Sequence, residues 1–261
     1  MLVNGTWTTD WQPVQKADEK GRFVRQVSSF RNWITPDGAP GPTGEGGFPA
    51  EAGRYRLYIA YICPWASRTL MARALKGLEE IIPVTVVNPA LGAQGWEFGG
   101  YPGAEADPLH GAAYLHELYT RADPQVTGRA TVPVLWDMTR DVMVNNESAD
   151  ILRMFDTAFE GLVPSDLRLY PEDLAAGIGI DPESLWQSFT AQRHGIIAAR
   201  YGELFSDPDK RDMLKPEMQW EIENGLKMPA LALHRAYDVR TAWHLRLVAL
   251  FERFDVLALP A

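Results

Sequence analysis

The chain has 261 residues, 46% apolar and 23% charged, a composition typical of a globular protein with room for a sizeable core. A net charge of −9 without any dense Lys/Arg run argues against a nucleic-acid partner. No apolar stretch is long enough to span a bilayer, residues 1–9 lack the basic and apolar regions of a secretory signal, and one cysteine leaves no internal disulfide; the expected location is cytoplasmic, away from membranes.

Residues 1–53 show little periodicity. Asp37-Gly38-Ala39-Pro40-Gly41-Pro42 and Gly44-Glu45-Gly46-Gly47 are loop chemistry, so this stretch reads as an extended arm wrapping a domain. Residues 54–62 are rich in aromatic and β-branched side chains and predict a strand. In Tyr61-Ile62-Cys63-Pro64-Trp65-Ala66-Ser67-Arg68 that strand gives way to a helix, with Pro64 suited to its first turn and Lys76-Gly77 to its end. A lone cysteine by itself reads as a small buried hydrophobe. At a helix start, partial positive charge and free N–H groups stabilise a thiolate, which makes Cys63 the candidate nucleophile. A mixed disulfide on it would need an external thiol to resolve it, because the chain has no second cysteine.

A second apolar run at 81–87 follows, then a loop-like stretch from 88 to 108 carrying Gly95-Trp96-Glu97-Phe98, then helical spacing over 114–119. Residues 131–137 and 141–145 predict two strands joined by a short polar turn, and a helix follows from Glu147-Ser148 through Phe155. The order β-α-β-(α)-β-β-α, with a proline opening the third strand, is that of an α/β thioredoxin-like domain. Beyond about 160 the pattern turns helical. Helices are expected over 182–200 and 230–254, with further starts at Asp207-Pro208-Asp209 and Lys215-Pro216-Glu217. The five histidines show no metal-type spacing, and no metal site is expected; His194 and His234 are expected on solvated or interfacial helix faces.

Several segments in order carry a family resemblance: Phe30-Arg31-Asn32-Trp33-Ile34, Cys63-Pro64-Trp65-Ala66, Gly95-Trp96-Glu97-Phe98, Asp107-Pro108-Leu109, Ala122-Asp123-Pro124, the run from Gly128-Arg129 through Val132-Pro133 to Asp137, and Asn145-Asn146-Glu147-Ser148-Ala149-Asp150-Ile151. Over residues 1 to about 177 the chain resembles the glutathionyl-hydroquinone reductases, the xi class of glutathione transferases. Ser67 stands where that family usually has His. From about 178 onward the chain resembles instead the C-terminal part of an amidase-signature hydrolase, through 216–223 and 250–260. It lacks that family's Ser/Ser/Lys segment, so amidase activity is not implied. The two resemblances together suggest a composite chain.

The resemblance implies a glutathione-transferase-like architecture. Its parts are an extended N-terminal arm (1–53), a thioredoxin-like glutathione-binding domain (54–160) and an all-α C-terminal region (161–261). It implies that Cys63 attacks the glutathione sulfur of a glutathionyl-hydroquinone, expels the hydroquinone, and is freed from the mixed disulfide by a second glutathione. Val132, before a cis Pro133, would pair with the cysteinyl part of glutathione; composition alone would suggest an ordinary trans proline at a strand start. Ser148 would hold the γ-glutamyl carboxylate and Glu147 the amino group, where the residues alone suggest a plain helix cap. Trp96 and Arg129 are implied glutathione contacts, a core aromatic and a solvated turn residue being the bland readings. Arg121 is a weaker candidate for the glycyl carboxylate. Glutathione enters as co-substrate, with no permanently bound cofactor, and the implied partners are glutathione, a glutathionylated hydroquinone and a second copy in a homodimer. The family's proton-donating tyrosine has no counterpart, since Tyr201 and Tyr237 sit in no matching motif. Two alternatives follow: a general thioltransferase of omega or lambda type, and a hybrid that keeps only glutathione binding.

Overall fold

A computed structural model describes residues 1–9, 27–170 and 181–252, together with the backbone of 16–17 and 23–24. Among these residues the central sheet has four strands in the order β6-β5-β7-β8. Strand β5 (Tyr55–Ile59) is almost wholly buried, as its unbroken aromatic and aliphatic run requires. Strand β6 (Val84–Val86) pairs with it in parallel, Leu57 opposite Val84, after a crossover through helix α1 (Pro64–Leu75). Strand β7 (Val134–Asp137) runs antiparallel to β5, Tyr55 opposite Asp137, and β8 (Val142–Asn145) antiparallel to β7. Helix α1 packs against α3 (Ser148–Thr157), and α2 (Leu115–Ala122) against β8. Gly77, at φ 68°, ends α1 in the left-handed conformation that costs a glycine nothing.

The expected arm is partly regular. Strands β1 (Leu2–Val3) and β2 (Thr6–Trp7) form a hairpin whose Leu2 exchanges both backbone hydrogen bonds with Gly128, at 2.8 and 2.9 Å. Strands β3 (Lys16–Ala17) and β4 (Phe23–Val24) pair antiparallel. Residues 30–32 cover the free edge of β8, with Asn32 N–H donating to Val144 O and Asn146 N–H to Phe30 O.

The division into domains also departs from expectation. Two compact units are found: one holds 1–14 and 26–170, the other 15–25 and 171–259. Much of the arm therefore belongs to the first unit, and the boundary at 160 moves to 170. Asp156 explains the shift, because its two carboxylate oxygens accept the N–H groups of Leu169 and Tyr170, each at 2.9 Å. Lys76 Nζ meets both Asp156, at 3.3 Å, and Leu167 O, at 2.6 Å. The segment 161–170 is thus stitched to α1 and α3.

The second unit is helical: α4 (Pro182–Ser206), α5 (Pro208–Arg211), α6 (Pro216–Lys227) and α7 (Ala230–Phe251). Helix α4 packs against α6 and α7. A Cβ on Gly225 would lie 2.2 Å from His194 O, so glycine lets α6 approach the α4 backbone. His194 is buried there, edge-on to Trp220, while His234 is exposed. Of the two predicted faces, His194 takes the interfacial one. No described helix is long and apolar enough to cross a membrane. The junction near 177 and the segment 253–261 lie outside the described residues.

Candidate active site

Cys63 is the N-cap of α1, in extended conformation, with Pro64 at the first helical position and no side-chain cap on the first turn. Its backbone is fixed on both sides: the N–H donates to Ala60 O at 3.0 Å, and the carbonyl accepts from Ser67 N–H at 2.9 Å and Ser67 Oγ at 3.0 Å. The partly exposed thiol therefore sits where the helix presents uncompensated N–H groups. Its Sγ lies 3.6 Å from Val132 O. The Val132–Pro133 peptide is cis, and Val132 is buried just before β7.

The other side of the site is the start of α3. Glu147 is its N-cap and accepts from Ala149 N–H, so Ser148 is the first helical residue rather than the cap. Ser148 is buried, and its Oγ accepts from Arg68 Nε at 3.1 Å and Nη2 at 2.6 Å. The same guanidinium stands 3.8 Å from Glu147 Oε1, and Ser28 Oγ donates to Glu147 Oε2 at 2.8 Å. Two donated bonds occupy the acceptor capacity of the Ser148 hydroxyl, which leaves its single O–H to act as a donor. The arrangement offers a thiol at a helix start, a backbone edge beside it, and a hydroxyl donor and carboxylate around one arginine.

Residues 62–158 match the family described as the glutathione S-transferase N-terminal domain. Glutathione S-transferase omega-like 3 of Saccharomyces cerevisiae is 30% identical over 300 aligned positions, covering 92% of this chain and 79% of the relative. The chain belongs to the glutathione transferase family. Glutathionyl-hydroquinone reductase YqjG of Escherichia coli is 50% identical over 178 residues, 68% of this chain and 54% of the relative. The glutathione-bound structure of YqjG superposes with a TM-score of 0.65 at 35% identity, covering 98% of this chain and 68% of that one. At the higher identities the chain spans about half the length of the curated relatives it matches.

Cys63 is in contact with Val132, and Glu147 and Ser148 lie together around Arg68, which stands on the helix that Cys63 caps. Trp96 is 9% exposed and packs in the core, while Arg129 is half-buried near the Met1 amino group. The N-terminal hairpin touches both of their loops, through the Leu2–Gly128 pairing and through Trp7, whose indole N–H donates to Ala93 O. Arg121 is committed to Asp141, at 2.7 Å, and this bond, with His110 on the other oxygen, holds the Asp141 carboxyl below the usual range. Arg68 and Ser28 are the site residues that motif reasoning passes over. Arg68 lies one helical turn past the Cys-Pro step and could be found by that offset; Ser28 carries no local signal.

Proposed function

We propose that this transferase reduces glutathionyl-hydroquinones to hydroquinones with glutathione as co-substrate. The Cys63 thiolate attacks the glutathione sulfur of the adduct, forming an S–S bond as the carbon–sulfur bond breaks, and the released hydroquinone carbon takes up a proton. A second glutathione thiolate attacks the glutathione sulfur of the mixed disulfide, giving oxidised glutathione and regenerating the Cys63 thiolate. In this reading Val132 pairs with the cysteinyl part of glutathione, Ser148 donates to the γ-glutamyl carboxylate, Glu147 receives the amino group, and Trp96 and Arg129 complete the contacts. The protein works in the cytoplasm as a homodimer.

The observation that carries the reading is Cys63 Sγ at an uncapped helix start, 3.6 Å from the carbonyl preceding a cis proline. A thiol forms and breaks mixed disulfides, where a serine or tyrosine could not. The 50% identity to a protein named glutathionyl-hydroquinone reductase supports the substrate class. The omega-like name of the relative matched over 92% of this chain favours a second reading, a general glutathione thioltransferase. A third proposal concerns the tail: residues from about 178 onward derive from an amidase-signature lineage, and no proton donor is assigned within them.

The test is turnover of glutathionyl-menadiol with glutathione, run beside Cys63→Ala. Free menadiol released by the wild-type chain and not by the variant is the expected result. Cys63-dependent reduction of a small glutathione mixed disulfide, with none of the adduct, would replace the first reading by the second.

A further inference from the structure

We propose that Tyr119 is a positioning residue that sets the spacing between the two anchor segments of the glutathione cradle, residues 131–133 and 146–148. The inference rests on the proposed function and adds to it a buried residue that is none of the proposed glutathione contacts.

The sheet itself cannot set this spacing. The ladder between β7 and β8 pairs Leu135 with Asn145, and its register is interrupted between Leu135 and Trp136. Beyond that pair no strand register relates 131–133 to 146–148. Yet these two segments carry the proposed anchors for the cysteinyl and γ-glutamyl ends of one tripeptide, so their separation has to match its length.

The Tyr119 hydroxyl takes over where the ladder stops. It donates to Thr131 O at 2.7 Å and accepts from Thr131 N–H at 3.0 Å and from Asn146 Nδ2 at 3.0 Å. One proton and two lone pairs are all used in the bonds of this node, and Thr131 Oγ1 also stands 3.4 Å from the same oxygen. Asn146 is fixed from its far side by Phe30, whose N–H donates to Asn146 Oδ1 at 3.1 Å and whose ring stands edge-on to Tyr119. Thr131 adjoins Val132, and Asn146 adjoins Glu147. Displacing the node therefore moves both anchors at once. Burial pushes the Tyr119 phenol above its usual pKa, which keeps the proton that the Thr131 bond needs.

The experiment is Tyr119→Phe in the full chain, read by calorimetric titration with glutathione and by steady-state kinetics. The expected result is a rise of about tenfold in the Kd and KM for glutathione. Alongside it, kcat at saturating glutathione stays within about twofold and the rate of Cys63 alkylation by iodoacetamide is unchanged. Phe155→Leu, which thins the core in the C-terminal half of α3, serves as a control: its melting temperature falls and its glutathione Kd stays at the wild-type value. An unchanged Kd in Tyr119→Phe would overturn the proposal, as would a Kd that rises in both variants in step with lost stability. Should Tyr119→Phe not fold, Asn146→Ala removes one of the three bonds together with the bond from Phe30; a Kd raised about threefold, with Phe155→Leu still at the wild-type Kd, supports the proposal and a wild-type Kd overturns it. A wild-type chain that binds no glutathione would overturn the proposed function itself, a result read before any variant is made.

Discussion

Arg68 decides what the start of α3 can offer a ligand. Without it, the Ser148 hydroxyl would lose both of its donors and the Glu147 carboxylate a nearby cation. Hydrogen bonds to a charged group contribute about 1.5–3 kcal/mol each, and the two from Arg68 converge on a single buried oxygen. Arg68→Ala is expected to weaken glutathione binding by about tenfold to a hundredfold, the fold-change that follows from losing one such bond. Arg68→Lys keeps the charge and loses the two-pronged geometry, so its loss should fall between wild type and alanine. Titration with glutathione checks this order; a lysine variant as weak as alanine would show that geometry, not charge, is what Arg68 supplies. At this scale the sequence is legible where chemistry is local. Cys63 declares itself through the strand, the proline and the helix that follow one another. Arg68 and Tyr119 do not, because their partners, Ser148 and Thr131 with Asn146, lie 80, 12 and 27 residues away.

The elements are held by buried charge as well as by apolar packing. Lys76 and Asp156 are both about 2% exposed, and the Asp156 carboxylate also receives two backbone N–H groups from 169–170. Removing one partner of a buried pair costs up to about 3–5 kcal/mol when the other is left unpaired, and Lys76 would keep the longer ion pair to Glu160, at 3.8 Å. Asp156→Ala should therefore lower the stability of the first unit by that amount and expose 161–170 to proteolysis, read by denaturant unfolding and limited digestion. A variant with wild-type stability and no new cleavage would mean that this stitching is dispensable. The same cluster shows why the domain boundary was not readable. Residues 161–170 have no periodic pattern, and much of their polar attachment comes from the Asp156 carboxylate and from Lys76, 91 residues before Leu167. The hairpin β1–β2 is hidden for a similar reason, its strands being two residues long and secured by Gly128. The sheet strands, α1, α3 and the starts at Pro208 and Pro216 were readable, since period, proline and capping residues act within a few positions. His194 lies between these cases: its helix was predicted, but its burial depends on Gly225 admitting a second helix.

For the molecule as a whole, both compact units hold a histidine whose burial favours the neutral ring. His116 in the first unit stacks on Trp7, 4.4 Å between centroids, and is parallel to Tyr114. His194 in the second stands edge-on to Trp220. Desolvation lowers the pKa of each below 6.5; Glu117 opposes the shift at His116, and Glu221 opposes it at His194. The unfolded chain then binds more protons than the folded one between the lowered values and 6.5, so stability rises with pH across that window. It is complete above 6.5 and is lost as pH falls through the lowered values. Asp141 cannot account for a loss there, because its pKa is lowered from a reference of 3.8 and acts only in stronger acid. The Met1 amino group, lowered from 8.0 by burial, adds a slope that all histidine variants share. Over the same range the net charge falls towards zero at a pI near 5.1, which weakens self-repulsion and lowers solubility, so the measurement has to be made at low protein concentration. Denaturant midpoints at pH 7.5 and 5.5 are expected to drop for the wild-type chain, less for His116→Phe or His194→Phe, and least for the double variant. Because the two histidines sit in separate units, their contributions should add where the chain unfolds in one transition, and otherwise each should move only the transition of its own unit. An equal drop in wild type and double variant would assign the acid sensitivity to other groups.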